Sequence, residues 1–192
     1  RKRPPRADEF GGNRAPMGAL RIRLCPILHE EASISSFETS IPLRFVEGTK
    51  SFDREGDLPP NGTTVTFGMH GDVAGHYKAT PSDPQPSTLD YLAGSIGGCL
   101  IGTFAGSLMR ARVPVSPGGI TGTATGLIEA DDDGVLNLKR VSMSYAVELD
   151  EEHRAAAEEV LAAYADKCPN ARSVTPAIEI VNDLELRSPV TA

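Results

Sequence analysis

The stretch Pro86-Ser87-Thr88-Leu89-Asp90-Tyr91-Leu92-Ala93-Gly94-Ser95-Ile96-Gly97-Gly98-Cys99 reads as the opening of a long helix. Ser87 stands where an N-cap belongs. Asp90, three residues on, can answer it in a capping box and sets a carboxylate at the positive end of the helix dipole. The nineteen residues from Tyr91 to Met109 carry no charge, and the pattern predicts a helix running to about Arg112. At roughly 100° per residue, Leu89, Ala93, Ile96, Leu100 and Phe104 form a broad apolar stripe, with Ser95, Cys99, Gly102 and Gly106 on a narrow strip beside it. Gly97 and Gly98, directly before Cys99, each cost about 1 kcal/mol relative to Ala in a helix interior. A helix that keeps them gives up stability for close approach, so Cys99 is expected to face a close neighbour. The uncharged run also reaches the lower length limit of a membrane span. Its glycines, with Ser95, Thr103 and Ser107, dilute the hydrophobicity, and we read it as the central helix of a soluble domain.

Before this helix the signals weaken. Strands are expected at 20–28 and 41–46, and a turn-rich link at 53–62. Residues 63–69 place Val65, Phe67 and Met69 on one face, His70-Gly71-Asp72 offers a turn, and 73–79 is expected to return as the second arm of a hairpin. The proline-rich run 81–86 then ends the sheet. After the helix, a loop at 114–119 leads to strands at 120–130 and 135–149, joined by the turn Asp131-Asp132-Asp133-Gly134. In the second of these, Val141, Met143, Tyr145, Val147 and Leu149 share one face, with Arg140, Ser142, Ser144 and Glu148 opposite. Asp150 is expected to cap a second helix, whose stripe of Ala157, Val160, Leu161, Tyr164 and Ala165 ends at Cys168. Residues 178–186 read as a closing strand.

With 192 residues, 40% of them hydrophobic, the chain can bury a core and reads as one domain, 18–192. Residues 1–17 read as a disordered arm or an appended start, with Met17 as a natural beginning. The formal charge of −7 argues against a nucleic-acid or anionic-membrane partner, which would need an excess of Lys and Arg. The short basic run Arg1-Lys2-Arg3-Pro4-Pro5-Arg6 is followed by Asp8 and Glu9 rather than by the apolar stretch of a secretory signal. Three cysteines are too few and too odd for a disulfide scaffold and fit a cytoplasmic protein.

The chemistry-bearing candidates are Cys99 and Cys168, which suggest thiol redox work. Neither belongs to a C-x-x-C pair, so neither a zinc site nor a thioredoxin-type motif is expected. Each also has a plain reading, Cys99 as a small core residue and Cys168 as the last knob of an apolar stripe. Cys168 is followed at once by Pro169 and the donor-rich Asn170-Ala171-Arg172. Arg172 can stabilise a nearby anion or simply make an exposed salt bridge. Cys25 reads as structural. Ala93-Gly94-Ser95-Ile96-Gly97 has the outline of a nucleophile elbow, but a helix cap precedes it where the elbow needs a strand. The Asp131 turn lacks the spacing of a calcium loop. His29, His70, His76 and His153 form no metal-binding pair, and no nucleotide-binding glycine motif opens a helix. No metal and no cofactor are expected.

The run from Pro86 to Cys99 is similar to the "P-x-E-L-L-x-A-x-x-G-x-C" helix of the superfamily of osmotically inducible protein C (OsmC) and organic hydroperoxide resistance protein (Ohr). The turn Cys168-Pro169-Asn170-Ala171-Arg172-Ser173 resembles that family's second-cysteine turn, and the likeness spans about residues 63–187. It implies an α+β fold with antiparallel sheets packed around a long central helix, in an intertwined homodimer whose active sites lie at the subunit interface. It implies that Cys99 attacks an organic hydroperoxide as a thiolate and becomes a sulfenic acid. Cys168 then resolves this to a disulfide, which a dithiol reduces. The best characterised members lower the thiolate pKa with an Arg on the strand before the helix and a Glu ten residues before the cysteine. Here those positions carry Ala79 and Leu89. Asp90 lies on the face opposite Cys99 and is given a capping role. Lys78, His76, Arg44 and Arg172 are the available cations. The alternatives are a non-catalytic dimer that holds an apolar ligand or partner at the interface, and a thiol redox sensor.

Overall fold

The computed structural model describes residues 36–46, 53–116 and 118–187. The predicted strand at 20–28, the arm at 1–17 and Cys25 lie outside them. The chain divides into two units, Arg1–Glu38 and Thr39–Ala192, and every element below belongs to the second. In chain order these are β1 (Leu43–Phe45), β2 (Arg54–Leu58), β3 (Thr63–Phe67), α1 (Gly71–His76), α2 (Thr88–Arg110), β4 (Ile120–Ala130), β5 (Leu136–Glu148), α3 (Arg154–Ala163), α4 (Pro169–Val174) and β6 (Glu179–Arg187).

The α+β reading holds, with two three-stranded sheets in the orders β1-β2-β3 and β4-β5-β6. In the first sheet all pairs are antiparallel, Leu43 facing Gly56 and Gly56 facing Val65. Two expectations fail here. Residues 53–62 are not a link, because β2 occupies their centre. Residues 73–79 are not a hairpin arm, because they fall in and after the short helix α1. The first error has a plain cause. Gly56 and Asp57 belong to types depleted in strands, so propensity favours a loop, but β2 gains partners on both edges and tertiary pairing prevails. Beyond β3, which ends at Phe67, the chain turns into α1 at Gly71, whose φ of +48° suits glycine.

The second sheet contains the predicted hairpin. Asp131 caps its turn, its Oδ1 accepting from the N–H groups of Val135 at 2.8 Å and Asp133 at 3.1 Å, and Gly134 takes φ +77°. β6 then lies parallel to β5, with Val141 facing Ile180, which a crossover through α3 and α4 allows and a hairpin would not.

α2 packs its predicted stripe on this sheet. Ile96, Leu100, Phe104 and Leu108 are fully buried against Val141, Met143, Tyr145, Val147 and Leu149, the face of β5 expected from alternation. Gly97 is the glycine this packing requires, since a Cβ there would stand 2.7 Å from the Ala124 Cβ on β4. A Cβ at Gly94, Gly98, Gly102 or Gly106 would meet nothing within 4 Å among the described residues. α2 is long and apolar enough to cross a membrane by length and composition, and here it serves as the helix that covers the sheet.

At the start of α2 the capping box closes. Asp90 N–H donates to Ser87 Oγ at 3.1 Å and Ser87 N–H to Asp90 Oδ2 at 2.6 Å, while His70 Nε2 lies 2.9 Å from the same carboxylate oxygen. Partial burial pushes the Asp90 carboxyl up, but the Ser87 and His70 bonds outweigh it and hold the group below its ordinary range. Ser87→Ala removes the acceptor for the Asp90 N–H and is expected to lower unfolding free energy by about 1 kcal/mol, read from the urea midpoint. An unshifted midpoint would show that His70 and Asp90 hold this end unaided.

Asp150 does not cap the second helix with its side chain. A single 3-10 turn, Glu151–His153, precedes α3, and Asp150 makes no side-chain capping bond. The apolar stripe survives the change, with Ala157, Tyr164 and Cys168 buried along it. It does so across a break, because α3 ends at Ala163 and a 3-10 turn at Ala165–Lys167 follows. Cys168 therefore stands in extended conformation as the residue before α4 rather than as the last residue of a helix.

Candidate active site

Cys99 sits midway along α2, on the flank of the buried stripe, partly exposed and packed against the core. Cys168, fully buried, is brought to it by the turn into α4. The two thiols are free, and they lie close enough for each to act on the other's ionisation. The strip expected to face a close neighbour does so over half its length. Ser95 and Cys99 meet the α4 turn, while Gly102 and Gly106 meet nothing among the described residues.

Asn170 holds the turn in place. Its Nδ2 donates to the Ser95 carbonyl at 2.9 Å, and its main-chain N–H lies near the Cys99 thiol. Thr103 Oγ1 donates to the Cys99 carbonyl at 2.9 Å. Burial pushes the Cys99 thiol above its ordinary pKa, the Asn170 N–H pulls against this, and the neighbouring Cys168 pushes it further up. The Cys99 thiol is therefore protonated at neutral pH in a single chain.

Behind Cys168 lies a buried polar pair. The Tyr145 hydroxyl bonds the Tyr164 hydroxyl, which donates to Asn182 Oδ1 at 2.7 Å. The Phe104 ring packs on both, with centroids 5.2 Å from Tyr145 and 5.0 Å from Tyr164. Burial pushes the Tyr145 phenol up to about 12 and raises that of Tyr164 further, so both stay neutral hydrogen-bonding groups.

None of the cations that the sequence offers is among the groups acting on Cys99. Arg44 pairs with Glu55 at 2.6 Å and Asp57 at 2.8 Å on the exposed face of the first sheet. The His76 imidazole lies 2.8 Å from the Gly134 carbonyl, and Lys78 and Arg172 are exposed. Ala79 is on no strand, since it follows α1, so the ungapped equivalence that assigned it to a strand before the helix does not hold. Leu89 packs against the core.

The residue missed by sequence reasoning is Arg54. It is on β2, a strand before the helix, and its Nε is buried without a hydrogen-bond partner. It lines a cavity of about 440 Å³ together with Met69, Val73, Tyr77, Leu89 and Leu136. Reading 53–62 as a link hid it. Alternation within a strand, with Arg54 and Gly56 on one face and Glu55 and Asp57 on the other, was the available signal. Arg54 adjoins the first turn of α2, whereas Cys99 lies ten residues beyond Leu89, about 15 Å along the helix axis. Among the described residues no group of three His, Cys, Asp or Glu could hold a metal ion.

A long helix laid on a mixed sheet, with one cysteine at mid-helix and a second returned to it by a Cys-Pro turn, defines a two-cysteine α+β protein. The chain belongs to the OsmC-like protein family, whose model matches residues 80–182. Solved structures share the fold. An OsmC-like protein of Vibrio cholerae superposes with a TM-score of 0.61 at 13% identity, over 77% of this chain and 100% of that one. The organic hydroperoxide resistance protein of Elizabethkingia anophelis does so with 0.59 at 15% identity, over 80% and 100%. For the organic hydroperoxide resistance protein OhrB of Bacillus subtilis the values are 0.54 and 13%, over 77% and 98%. No curated protein matches the chain.

Proposed function

We propose that this protein is a thiol-dependent peroxidase that reduces organic hydroperoxides through a Cys99–Cys168 cycle, as a homodimer in the cytoplasm, in defence against oxidative stress. The observation that carries the reading is the proximity of two free thiols, one on the central helix and one on the returning turn, each within electrostatic reach of the other. In the first step the Cys99 thiolate attacks the peroxide O–O bond, taking one oxygen as a sulfenic acid and releasing the alkoxide, which leaves protonated as the alcohol. Cys168 then attacks the Cys99 sulfur, forming the disulfide, and its proton leaves with the hydroxide as water. A dithiol reduces the disulfide and is itself oxidised.

The first step needs a thiolate, and a single chain works against one. A second copy answers the need. The glycine face of α2 is open, and Leu43 and Phe45 on β1 are 69% and 57% exposed, leaving apolar surface for an intertwined partner. Arg54 of one copy is then the cation for Cys99 of the other, and the adjoining cavity takes the apolar part of the hydroperoxide. Leu89 adds to the apolar side of this cavity, with Met69, Val73 and Leu136, while Arg54, Ser87 and Thr88 line its polar side.

The test is consumption of cumene hydroperoxide by the purified protein with a dithiol as reductant. Turnover is expected, and Arg54→Met is expected to lower it at least about tenfold while moving Cys99 ionisation to higher pH, seen in the pH profile of thiol alkylation. An Arg54→Met profile identical to wild type would overturn the assignment of Arg54. A folded dimer without turnover would remove the peroxidase reading and leave an apolar-ligand binder built on the same cavity.

A further inference from the structure

Asn170 turns two donors to α2. Its side-chain amide donates to the Ser95 carbonyl at 2.9 Å, and its main-chain N–H lies near the Cys99 thiol. Ser95 is four residues before Cys99, so the carbonyl it presents is the one that accepts the Cys99 N–H in the helix ladder. Both donors therefore face the single helical turn that carries Cys99. Asn170 is also two residues from Cys168, and between them Pro169 restricts the backbone. The extended Cys168 and this grip together set where the Cys168 sulfur lies relative to the Cys99 sulfur.

We propose that Asn170 is a positioning residue for disulfide closure: its amide clamps the Cys168 turn onto the Cys99 turn, so that it governs the second thiol step more strongly than the first. The proposal rests on the two-cysteine reading, and its chemistry is specific. The acceptor is a carbonyl, so a donor is required. Leucine has nearly the shape of asparagine but no donor, and glutamine keeps the amide one carbon further out. Bond formation demands that the sulfurs close to about 2.05 Å in a defined dihedral, a geometry that a loosened turn reaches less often.

The test uses the full chain in a Cys25→Ser background, fully reduced, with diamide as oxidant. One thiolate adds to the diamide N=N bond, and the second displaces the hydrazine product as the disulfide forms, so adduct and disulfide are separately visible by intact mass after alkylation. Asn170→Leu is expected to slow closure about tenfold and let the Cys99 adduct accumulate, with adduct formation slowed several-fold less than closure. Asn170→Gln is expected to recover part of the closure rate. With cumene hydroperoxide and dimedone, the same Leu variant is expected to yield more trapped sulfenic acid.

Equal closure in wild type and Asn170→Leu would overturn the proposal. So would an equal slowing of both steps, which marks a general structural loss, and so would a wild type that diamide fails to close. If diamide closes the wild type quickly and the Leu variant slowly, the clamp stands even where cumene hydroperoxide is not consumed. In that event it is the peroxidase reading that falls.

Discussion

Replacing Cys99 by Ser is expected to bring hydroperoxide consumption down to the rate of buffer alone. A serine hydroxyl is protonated at neutral pH and has no sulfur to carry the transferred oxygen, so the first step has no substitute. Cys168 cannot stand in, because it is fully buried behind Cys99. Cys168→Ser should behave differently. Without reductant it should consume about one peroxide per chain and stop at a sulfenic acid that dimedone traps, and excess peroxide should carry it on to sulfinic acid. Wild type in the same experiment should end as a Cys99–Cys168 disulfide that resists overoxidation. Mass spectrometry of the three proteins after one equivalent of cumene hydroperoxide decides the matter. Undiminished turnover in Cys99→Ser would reject the assignment of the peroxidatic thiol, and a Cys168→Ser protein that still forms an intrachain disulfide would reject that of the resolving one.

Phe104→Ala carries the largest expected loss of stability, about 3–5 kcal/mol by the urea midpoint. The ring is fully buried at the middle of α2 and packs on both members of the tyrosine pair. Its removal leaves a cavity beside two hydroxyls whose hydrogen bonds depend on being held together. Such a loss is a large share of the roughly 5–15 kcal/mol that stabilises an ordinary domain. The effect should also reach the site, because Tyr164 lies in the run that delivers Cys168. A midpoint shift worth less than about 1 kcal/mol would mean that neighbouring core residues collapse into the space and that the aromatic cluster is not a stability centre.

Much of the molecule was legible one residue at a time. Uncharged length, the Ser87 and Asp90 cap and the three- and four-residue spacing of Leu89, Ala93, Ile96, Leu100 and Phe104 announced the central helix, because each is a local signal with a fixed period. The alternation from Val141 to Leu149 announced the central strand for the same reason. The wrong assignments fell where local preference and long-range pairing disagree. β2 is poor in strand formers and exists because β1 and β3 flank it. Residues 73–79 look extended, but they form α1 and the turn after it, and among the described residues no strand lies on the outer edge of β3. Arg54 went unnoticed with β2, and Ala79 was aligned to a strand position it does not occupy.

The sequence by itself therefore determined the family, the central helix, the hairpin and the two cysteines worth watching, all of which follow from periodicity and short motifs. The tertiary structure alone decided that Cys99 and Cys168, 69 residues apart, become neighbours. It also decided that Asn170 ties the Cys168 turn to the Ser95 carbonyl of α2 and that Gly97, rather than the outward glycines, carries the close approach to the sheet. The physical reason is the same in each case. A helix dictates what lies three or four residues away, but a contact between distant segments depends on how a whole sheet and its crossover return the chain, and no local pattern encodes that path.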